Sequence, residues 1–326
     1  MDILDHILFN RLIESGPRLA WTTEWLLEEV WSPERYRNLN RVEFLRNGEE
    51  KVNRFEMLVA SAADRIYDEL LSAPDPSTNL LEALSDSNTA VVIFDGLSIR
   101  EVPMILNLAA KSGFTVSLKS TSQAAVPSET LDFIARELPC GRVAPSQLPT
   151  RRDLKEKGIF ASYTSDITQP LAGDYETFPL LVWSAFPDAT YKDSGARFES
   201  HFENIHSRFE TAWINMVQAI KGKERIIITS DHGYIFFGTG MDFPRSQSEM
   251  KNLNAYFGNE RNVSLEENPV CPVSDDLLVV QSQKVAMVKG RIRTRSTGEA
   301  ARKLYRHGGL SLMEMITPWI ELEANL

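Results

Sequence analysis

The sequence predicts an α/β protein: a doubly wound, mostly parallel sheet flanked by helices, with a helical N-terminal region and a small β-rich insertion. From residue 88 onward, short continuous apolar runs alternate with segments of helical periodicity, as in sheets that helices cover on both faces. Residues 1–85 contain no convincing strand pattern, although residues 55–72 repeat apolar side chains every three or four positions. Residues 239–300 interrupt the alternation with a loop-rich segment.

The elements of the alternating part follow one another in a regular order. Three continuous apolar runs predict buried strands, and they are "TAVVIFD", "FPLLVWSAF" and "RIIITSD". A further strand, "FTVSLKS", follows a helix that a glycine ends. The predicted helices are "IREVPMILNLAAKSG", "SETLDFIAREL" with Ser128 as its N-cap, and "ARFESHFENIHSRFETAWINMVQAIKG".

Two regions lie outside this alternation. We predict a helical N-terminal region at residues 1–85 and a main domain at residues 86–326, and we expect the tryptophans of the first region to pack against the second. The insertion at residues 239–300 contains "LLVVQSQKVAMVKGRIRTRST", which predicts antiparallel ribbons turning near Ser282-Gln283 and near Gly290.

Composition restricts the classes of function. The chain has 326 residues, of which 43% are hydrophobic and 25% charged, values typical of a soluble globular protein. No apolar run approaches the roughly 18 residues that a membrane span requires, and the N-terminus lacks a signal pattern, so we expect a cytoplasmic protein with no membrane contact. A net charge of −10 argues against nucleic-acid binding by the whole surface. Cys140 and Cys271 do not have metal-type spacing.

Acidic residues follow three of the predicted strands at the point where each strand ends. Asp95 follows "VVIF", Asp188 follows "LLVWSAFP", and the pair Asp231-His232 follows "IIITS". Open α/β sheets bind ligands at the carboxyl ends of their strands, so these side chains are expected to lie near one another. Carboxylate and imidazole together are ligands for zinc or a similar divalent ion.

Two further segments contain side chains that could take part in metal binding or catalysis. His307 precedes Gly308-Gly309, which places the imidazole on a loop where the backbone can approach closely. Thr130 lies at the start of a predicted helix, where a hydroxyl beside a cation can lose its proton and attack phosphorus. Ser98, close to Asp95 in sequence, is a competing hydroxyl.

Five segments together resemble the successive motifs of a known family. They are "VIFDGLSIREVP", "AVPSET", "WSAFPD", "ITSDHGY" and "HGGLSLMEMITP", and they span roughly residues 88–322 in order. They resemble the PglZ domain family, a branch of the alkaline phosphatase superfamily. The resemblance implies that superfamily's fold and a metal-dependent phosphatase or phosphodiesterase, with nucleotides or oligonucleotides as expected substrates. It also implies protein partners in a bacterial anti-phage defence complex of the BREX type.

The resemblance further implies a role for each motif residue. Two divalent ions are expected, zinc in the first place and manganese as the alternative. The ligands of the first ion would be Asp95, Asp231 and His232. Thr130 would be the nucleophile and would form a covalent phospho-intermediate, while His307 and Asp188 would help to hold the second ion.

The second metal site departs from the pattern of the superfamily. Members commonly carry a histidine four residues after the equivalent of Asp188, where this chain has Lys192. Asp193, His201 or His206 are open as replacements, and an incomplete site is the remaining possibility. An incomplete site would favour a catalytically degenerate PglZ module that acts as a scaffold or a partner-binding subunit.

An arginine-rich segment precedes His307. Arg291, Arg293 and Arg295 would share one face of a strand, and Arg306 adjoins the histidine. Arg291, Arg293 and Arg306 are therefore candidate substrate-binding residues that would contact phosphate groups. The competing interpretation is a solvated edge strand that charge protects from association.

Overall fold

A six-stranded sheet organises the protein, and five of its strands point the same way. The computed structural model describes residues 6–13, 16–62, 65–72, 78–169, 177–191, 198–238, 240–271, 274–294 and 304–324. The strands of the sheet are β1 (Thr89–Phe94), β2 (Phe114–Gln123), β3 (Phe160–Thr164), β4 (Leu180–Ser184), β5 (Arg225–Thr229) and β11 (Ile316–Ala324). Their spatial order is β2-β11-β5-β1-β4-β3, with β11 antiparallel to both neighbours. The predicted α/β class and mostly parallel sheet are confirmed.

Strands β1, β4 and β5 lie side by side at the centre. Ala90 pairs with Leu180 on one side and with Ile226 on the other, and all six residues of β1 are buried. This burial on both faces explains why the three segments read as unbroken apolar runs. Strand β2, in contrast, is an edge strand that is largely half-buried or exposed, which explains its mixed composition.

Helices precede, connect and flank these strands. Those of the N-terminal region are α1 (His6–Ile13), α2 (Arg18–Trp25), α3 (Pro33–Asn38), α4 (Arg41–Ala62), α5 (Arg65–Leu70) and α6 (Leu80–Ala83). Those of the main domain are α7 (Val102–Lys111), α8 (Thr130–Glu137), α9 (Arg152–Glu156), α10 (Asp188–Tyr191), α11 (Phe198–Ala219), α12 (Gln247–Phe257) and α13 (Leu312–Met315). Within the described part of the chain, no helix is both long enough and apolar enough to cross a membrane.

The N-terminal helices and the sheet share one apolar core. Trp25 and Trp31 are buried in the same cluster as Val92 and Ile228 of the central strands. The tryptophans therefore pack against the main domain, as expected. The division into residues 1–85 and 86–326 stays a prediction.

A buried ion network joins helix α4 to the rest of the protein. Glu49 pairs with Arg100 and, at 2.5 Å, with Arg291, and all three side chains are fully buried. Burial raises the pKa of Glu49, but the two guanidinium groups outweigh burial, so its pKa is lowered and the carboxylate is charged.

The region of the predicted insertion forms a small sheet of its own. Strands β7 (Asn262–Ser264), β8 (Leu277–Val280) and β9 (Val285–Val288) are antiparallel, in the order β7-β9-β8. The turn between β8 and β9 occupies Gln281–Gln283, which confirms the ribbon predicted there. After β9 the chain turns at Gly290, where φ is +56°, and residues 291–294 form no strand, contrary to the prediction.

Candidate metal centre

The carboxyl ends of the central strands bring the predicted acidic residues together. Asp95 directly follows β1, Asp231 and His232 follow β5, and Asp188 opens α10 shortly after β4. Because these strands are parallel neighbours, their ends meet at one edge of the sheet. The structure therefore brings these acidic residues to one edge of the sheet, and their role in a site stays a prediction.

Asp95, Asp231 and His232 form the first group of potential ligands. One ligand atom from each lies within 4.8 Å of the others, and all three residues are buried. Nε2 of His232 lies 3.6 Å from Oδ1 of Asp95 and 3.5 Å from Oδ2 of Asp231. The indole N–H of Trp183 donates to Oδ2 of Asp95 at 3.2 Å, and the amide of Gly96 donates to Oδ1 of Asp231 at 3.0 Å.

The hydrogen bonds of His232 define which ring nitrogen faces the carboxylates. Nδ1 of His232 lies 2.9 Å from the carbonyl oxygen of Gly233, which can only accept, so Nδ1 carries the donated proton. In the neutral ring, Nε2 then presents a lone pair to Asp95 and Asp231. This is the tautomer of a metal-ligating histidine whose other nitrogen binds a backbone carbonyl.

Asp188, His232 and His307 form a second group, whose ligand atoms also lie within 4.8 Å of one another. Nδ1 of His307 faces the carbonyl oxygen of Ser128 at 3.1 Å, and Nε2 lies 3.8 Å from Oδ1 of Asp188. The rings of His232 and His307 stack with their centroids 3.9 Å apart, so the two groups adjoin.

The donor set fits a divalent cation. Asp231 is fully buried, and its contacts among the described residues are the amide of Gly96, the hydroxyls of Thr130 and Ser230, and the imidazole of His232. None of these is a permanent positive charge, although a buried carboxylate is costly without one. A cation between the carboxylates and the imidazole lone pairs would supply that charge and replace repulsion with coordination.

The charges around His307 also favour a positive charge at the site. Burial lowers the pKa of His307, but the carboxylates of Glu129 and Asp188 outweigh burial, and the pKa is raised above its ordinary value. The surroundings of this imidazole therefore favour a positive charge, whether a proton or a metal ion provides it.

Thr130 places its hydroxyl at the first group. It is the first residue of α8, and its Oγ1 lies 2.7 Å from Oδ2 of Asp231 and 3.5 Å from Nε2 of His232. The competing hydroxyl, Ser98, is engaged elsewhere, because it caps the short helix at Ile99–Glu101 and accepts from the Arg100 guanidinium at 2.8 Å. The geometry thus favours Thr130.

Ser128 is not the N-cap that the sequence suggests. The N-cap position of α8 is Glu129, which makes no side-chain capping bond. The hydroxyl of Ser128 instead accepts from the amide of Gly308 and donates to the carbonyl of Gly309, each at 2.9 Å. It therefore holds the loop that carries His307.

Of the candidate replacement ligands for the second site, the structure describes only the side chain of His206. His206 lies on α11 with Nε2 2.5 Å from the hydroxyl of Tyr36, and it belongs to neither ligand group. Lys192, Asp193 and the side chain of His201 lie outside the described residues.

The arginine-rich segment does not form the exposed strand that its spacing suggests. Arg291 is fully buried and pairs with Glu49, so the prediction that it binds substrate is wrong for this fold. Arg293 is half-buried, pairs with Asp242 at 2.7 Å and donates to the carbonyl of Phe237. Arg306 is half-buried on the short strand β10 (Tyr305–Arg306), which pairs with β6 (Ile235–Phe236). Its substrate-binding role stays a prediction, and Arg295 lies outside the described residues.

Sequence reasoning missed two polar residues beside the site. Glu129 precedes Thr130, and its Oε2 lies 3.6 Å from Nδ1 of His307. Asn262, on strand β7, donates to Oε1 of Glu129 at 2.9 Å. Glu129 stands within the "PSET" motif and could have been noticed there, whereas no sequence pattern marks Asn262.

The chain matches no protein-family model and no curated protein sequence. Similar solved structures include mouse ectonucleotide pyrophosphatase/phosphodiesterase 5, which is 12% identical with a TM-score of 0.44 over 73% of this chain and 88% of the mouse chain. They also include phosphonoacetate hydrolase from Sinorhizobium meliloti in complex with phosphonoacetate, which is 11% identical with a TM-score of 0.39 over 71% of this chain and 89% of that one. Similarity at this level assigns no activity, so the function has to be argued from the site residues.

Proposed function

We propose that the protein is a divalent-metal-dependent phosphoester hydrolase that uses Thr130 as its nucleophile. The observation that carries the proposal is the hydroxyl of Thr130 2.7 Å from Asp231, inside a buried group of two carboxylates and one imidazole. A hydroxyl, a carboxylate acceptor and a cation-binding group within a few ångströms are the parts that nucleophilic phosphoryl transfer requires.

The residues of the site have separate roles in this reaction. Asp95, Asp231 and His232 would hold one cation, and Asp188 and His307 would contribute to a second. Bound cations supply Lewis-acid stabilisation of the negative charge on the phosphoryl oxygens. Asp231 accepts the hydrogen bond of Thr130 and so directs the hydroxyl proton away from the attacking oxygen.

The chemical steps are a double displacement at phosphorus. Oγ1 of Thr130 forms a bond to phosphorus, the bond to the leaving oxygen breaks, and a phosphothreonine results. The hydroxyl proton passes toward Asp231, and the leaving alkoxide takes a proton from solvent. Water then attacks phosphorus and the bond from phosphorus to Oγ1 breaks. Oγ1 takes back the proton from Asp231, and the water proton leaves with the phosphoryl product or to solvent.

The finer assignments follow from the sequence motifs. We propose membership of the PglZ family within the alkaline phosphatase superfamily, zinc as the first choice of metal, and phosphodiesters such as nucleotides or oligonucleotides as substrates. A cytoplasmic role with protein partners in a BREX-type anti-phage complex is part of the same proposal.

A second candidate is a catalytically degenerate module that serves as a scaffold. The observation that favours it is the composition of the second group, in which only Asp188 and His307 are not shared with the first. Two ions bound per chain would support the hydrolase, whereas one ion or none would support the scaffold.

Hydrolysis of p-nitrophenyl phosphate and bis(p-nitrophenyl) phosphate with Zn²⁺ or Mn²⁺ tests the proposal. We expect metal-dependent turnover that is faster on the diester, and a loss of at least about a hundredfold in Thr130→Ala. Thr150→Ala is the matched control, because Thr150 is exposed and its hydroxyl bonds only to the carbonyl of Gln147 among the described contacts. Equal turnover in wild type and Thr130→Ala would exclude Thr130 as the nucleophile.

A further inference from the structure

The ring of His307 lies between two carboxylates that face its two different nitrogens. Asp188 faces Nε2 at 3.8 Å, and Glu129 faces Nδ1 at 3.6 Å. Only Nε2 is directed toward the other residues of the second ligand group. The carbonyl of Ser128 accepts the hydrogen bond from Nδ1 at 3.1 Å, and the charge of Glu129 lies behind the same nitrogen. Glu129 is therefore placed to hold the orientation of the imidazole, and not beside Asp188 as a further ligand.

Asn262 holds Glu129 in that place. The amide nitrogen of Asn262 lies 2.9 Å from Oε1 of Glu129 and 3.0 Å from the carbonyl oxygen of Gly308. One side chain of strand β7 thereby joins the residue before the nucleophile to the residue after His307. The inserted sheet thus reaches the edge of the metal centre.

The backbone at Gly308 is packed tightly against this pair. Its φ is +97°, a conformation that side chains disfavour, and a Cβ there would lie 2.3 Å from Oε1 of Glu129 and 2.8 Å from Nδ2 of Asn262. The absence of a side chain at Gly308 is what allows the carboxylate and the amide to sit directly on the loop of His307.

The residue before Asn262 supports the same loop through Glu314. Arg261 is buried and pairs with Glu314 at 2.7 Å, and the same oxygen of Glu314 accepts the amide of Gly309 at 2.9 Å. Two consecutive residues of the inserted segment therefore hold two consecutive glycines after His307.

We propose that Glu129, held by Asn262, is a positioning residue that orients His307 as a ligand of the second cation. The proposal rests on the function proposed above. Partners of this kind fix the orientation of a ligating imidazole, and their removal typically weakens metal binding about 10- to 100-fold. The inserted sheet would then act in assembling the metal centre through Asn262.

Metal titration of the full-length protein tests this role directly. The metal-free protein is titrated with Zn²⁺ against a chelating dye, for wild type, Glu129→Gln, Glu129→Ala and Asn262→Ala. We expect the first ion to bind all four proteins alike, and the second to bind about tenfold more weakly to Glu129→Gln and up to about a hundredfold more weakly to Glu129→Ala. Asn262→Ala should fall between wild type and Glu129→Ala, because the carboxylate remains but is no longer held.

Matched controls and a spectroscopic readout separate positioning from other roles. Glu137→Gln, at the opposite end of α8, and Asn252→Ala, exposed on α12, should bind both ions as wild type does. With Co²⁺ at saturation, the visible absorption bands of Glu129→Gln should indicate the same coordination number as those of wild type, since the ligands themselves are unchanged. Thermal unfolding of the metal-free variants checks that each remains folded.

Each outcome bears on one of the two proposals. A wild-type protein that binds no metal contradicts the proposed function. A wild-type protein that binds two ions, with Glu129→Gln and Glu129→Ala unaltered in second-ion affinity, overturns the positioning role alone. A Co²⁺ spectrum at saturation that shows one ligand fewer in Glu129→Gln than in wild type would make Glu129 a direct ligand, which also overturns it.

Discussion

The hydroxyl of Thr130 and the carboxylate of Asp231 are 2.7 Å apart although 101 positions separate them in sequence. The contact exists because α8 begins at the edge of the sheet where β5 ends. It joins a helix N-terminus, which favours anions, to a buried carboxylate, which favours cations. A phosphoryl group with its metal ions requires both.

Asp231→Asn is the most direct test of this pair. Asparagine keeps one oxygen, which can accept from either Gly96 or Thr130, and it removes the charge that would hold a cation. We expect loss of the first ion and a fall in diester turnover of at least about a hundredfold. Bound zinc per chain and steady-state kinetics measure the two effects. Asp132→Asn serves as the control, because it changes an acid of α8 that pairs with Arg142. Retention of both ions by Asp231→Asn would contradict the assignment of Asp231 as a metal ligand.

Much of the site could be predicted because it depends on a general property of parallel sheets. Asp95, Asp188 and Asp231 each follow a buried strand, and neighbouring parallel strands bring their carboxyl ends together whatever the rest of the chain does. Thr130 and His307 could be placed only through the order of the motifs. Local patterns contain no information on how a helix start and a distant loop meet that edge.

The incorrect or missing predictions concern contacts between distant segments. Alternating arginines indicate an exposed strand, but Arg291 is buried because Glu49 and Glu56 of α4 meet it from more than 200 positions away. Asn262 likewise meets Glu129 only when strand β7 folds next to the start of α8. Neither periodicity nor composition near these residues reports such partners.

Metal removal should destabilise the protein at neutral pH. The chelated protein leaves the buried carboxylate of Asp231 without the charge of a bound cation. A cation that binds the folded state stabilises that state by about 2.7 kcal/mol when its concentration is 100 times the dissociation constant. We therefore expect the melting temperature to fall by several degrees with EDTA and to recover with Zn²⁺. In Asp231→Asn the melting temperature should change less on addition of EDTA. An identical change in both proteins would show that the stabilising metal binds elsewhere and not at Asp231.

Arg291 should contribute to stability and not to substrate binding. Replacement by leucine leaves Glu49 and Glu56 buried with fewer charge partners, and breaking a buried pair typically costs about 3–5 kcal/mol. Urea unfolding measures the loss, and the KM for the diester should stay within about twofold of wild type. Arg293→Leu breaks a half-buried pair with Asp242 and should cost about 1 kcal/mol. A raised KM with unchanged stability in Arg291→Leu would restore the substrate-binding interpretation.

Glu56 should make stability depend on pH. Burial raises the pKa of Glu56 from 4.5 to about 7, although Arg291 opposes the shift. The folded state holds this proton more tightly than the unfolded state, so the stabilisation is complete below about pH 4.5 and is lost as pH rises through about 7. Glu56→Gln keeps an acceptor for the amide of Leu312 and should flatten the decline in unfolding free energy between pH 5 and 8, by on the order of a few kcal/mol. Glu50→Gln is the control: Glu50 is half-exposed, and this variant should show the same decline as wild type. An equally steep decline in Glu56→Gln would show that other groups, such as the buried Glu101, cause the pH dependence.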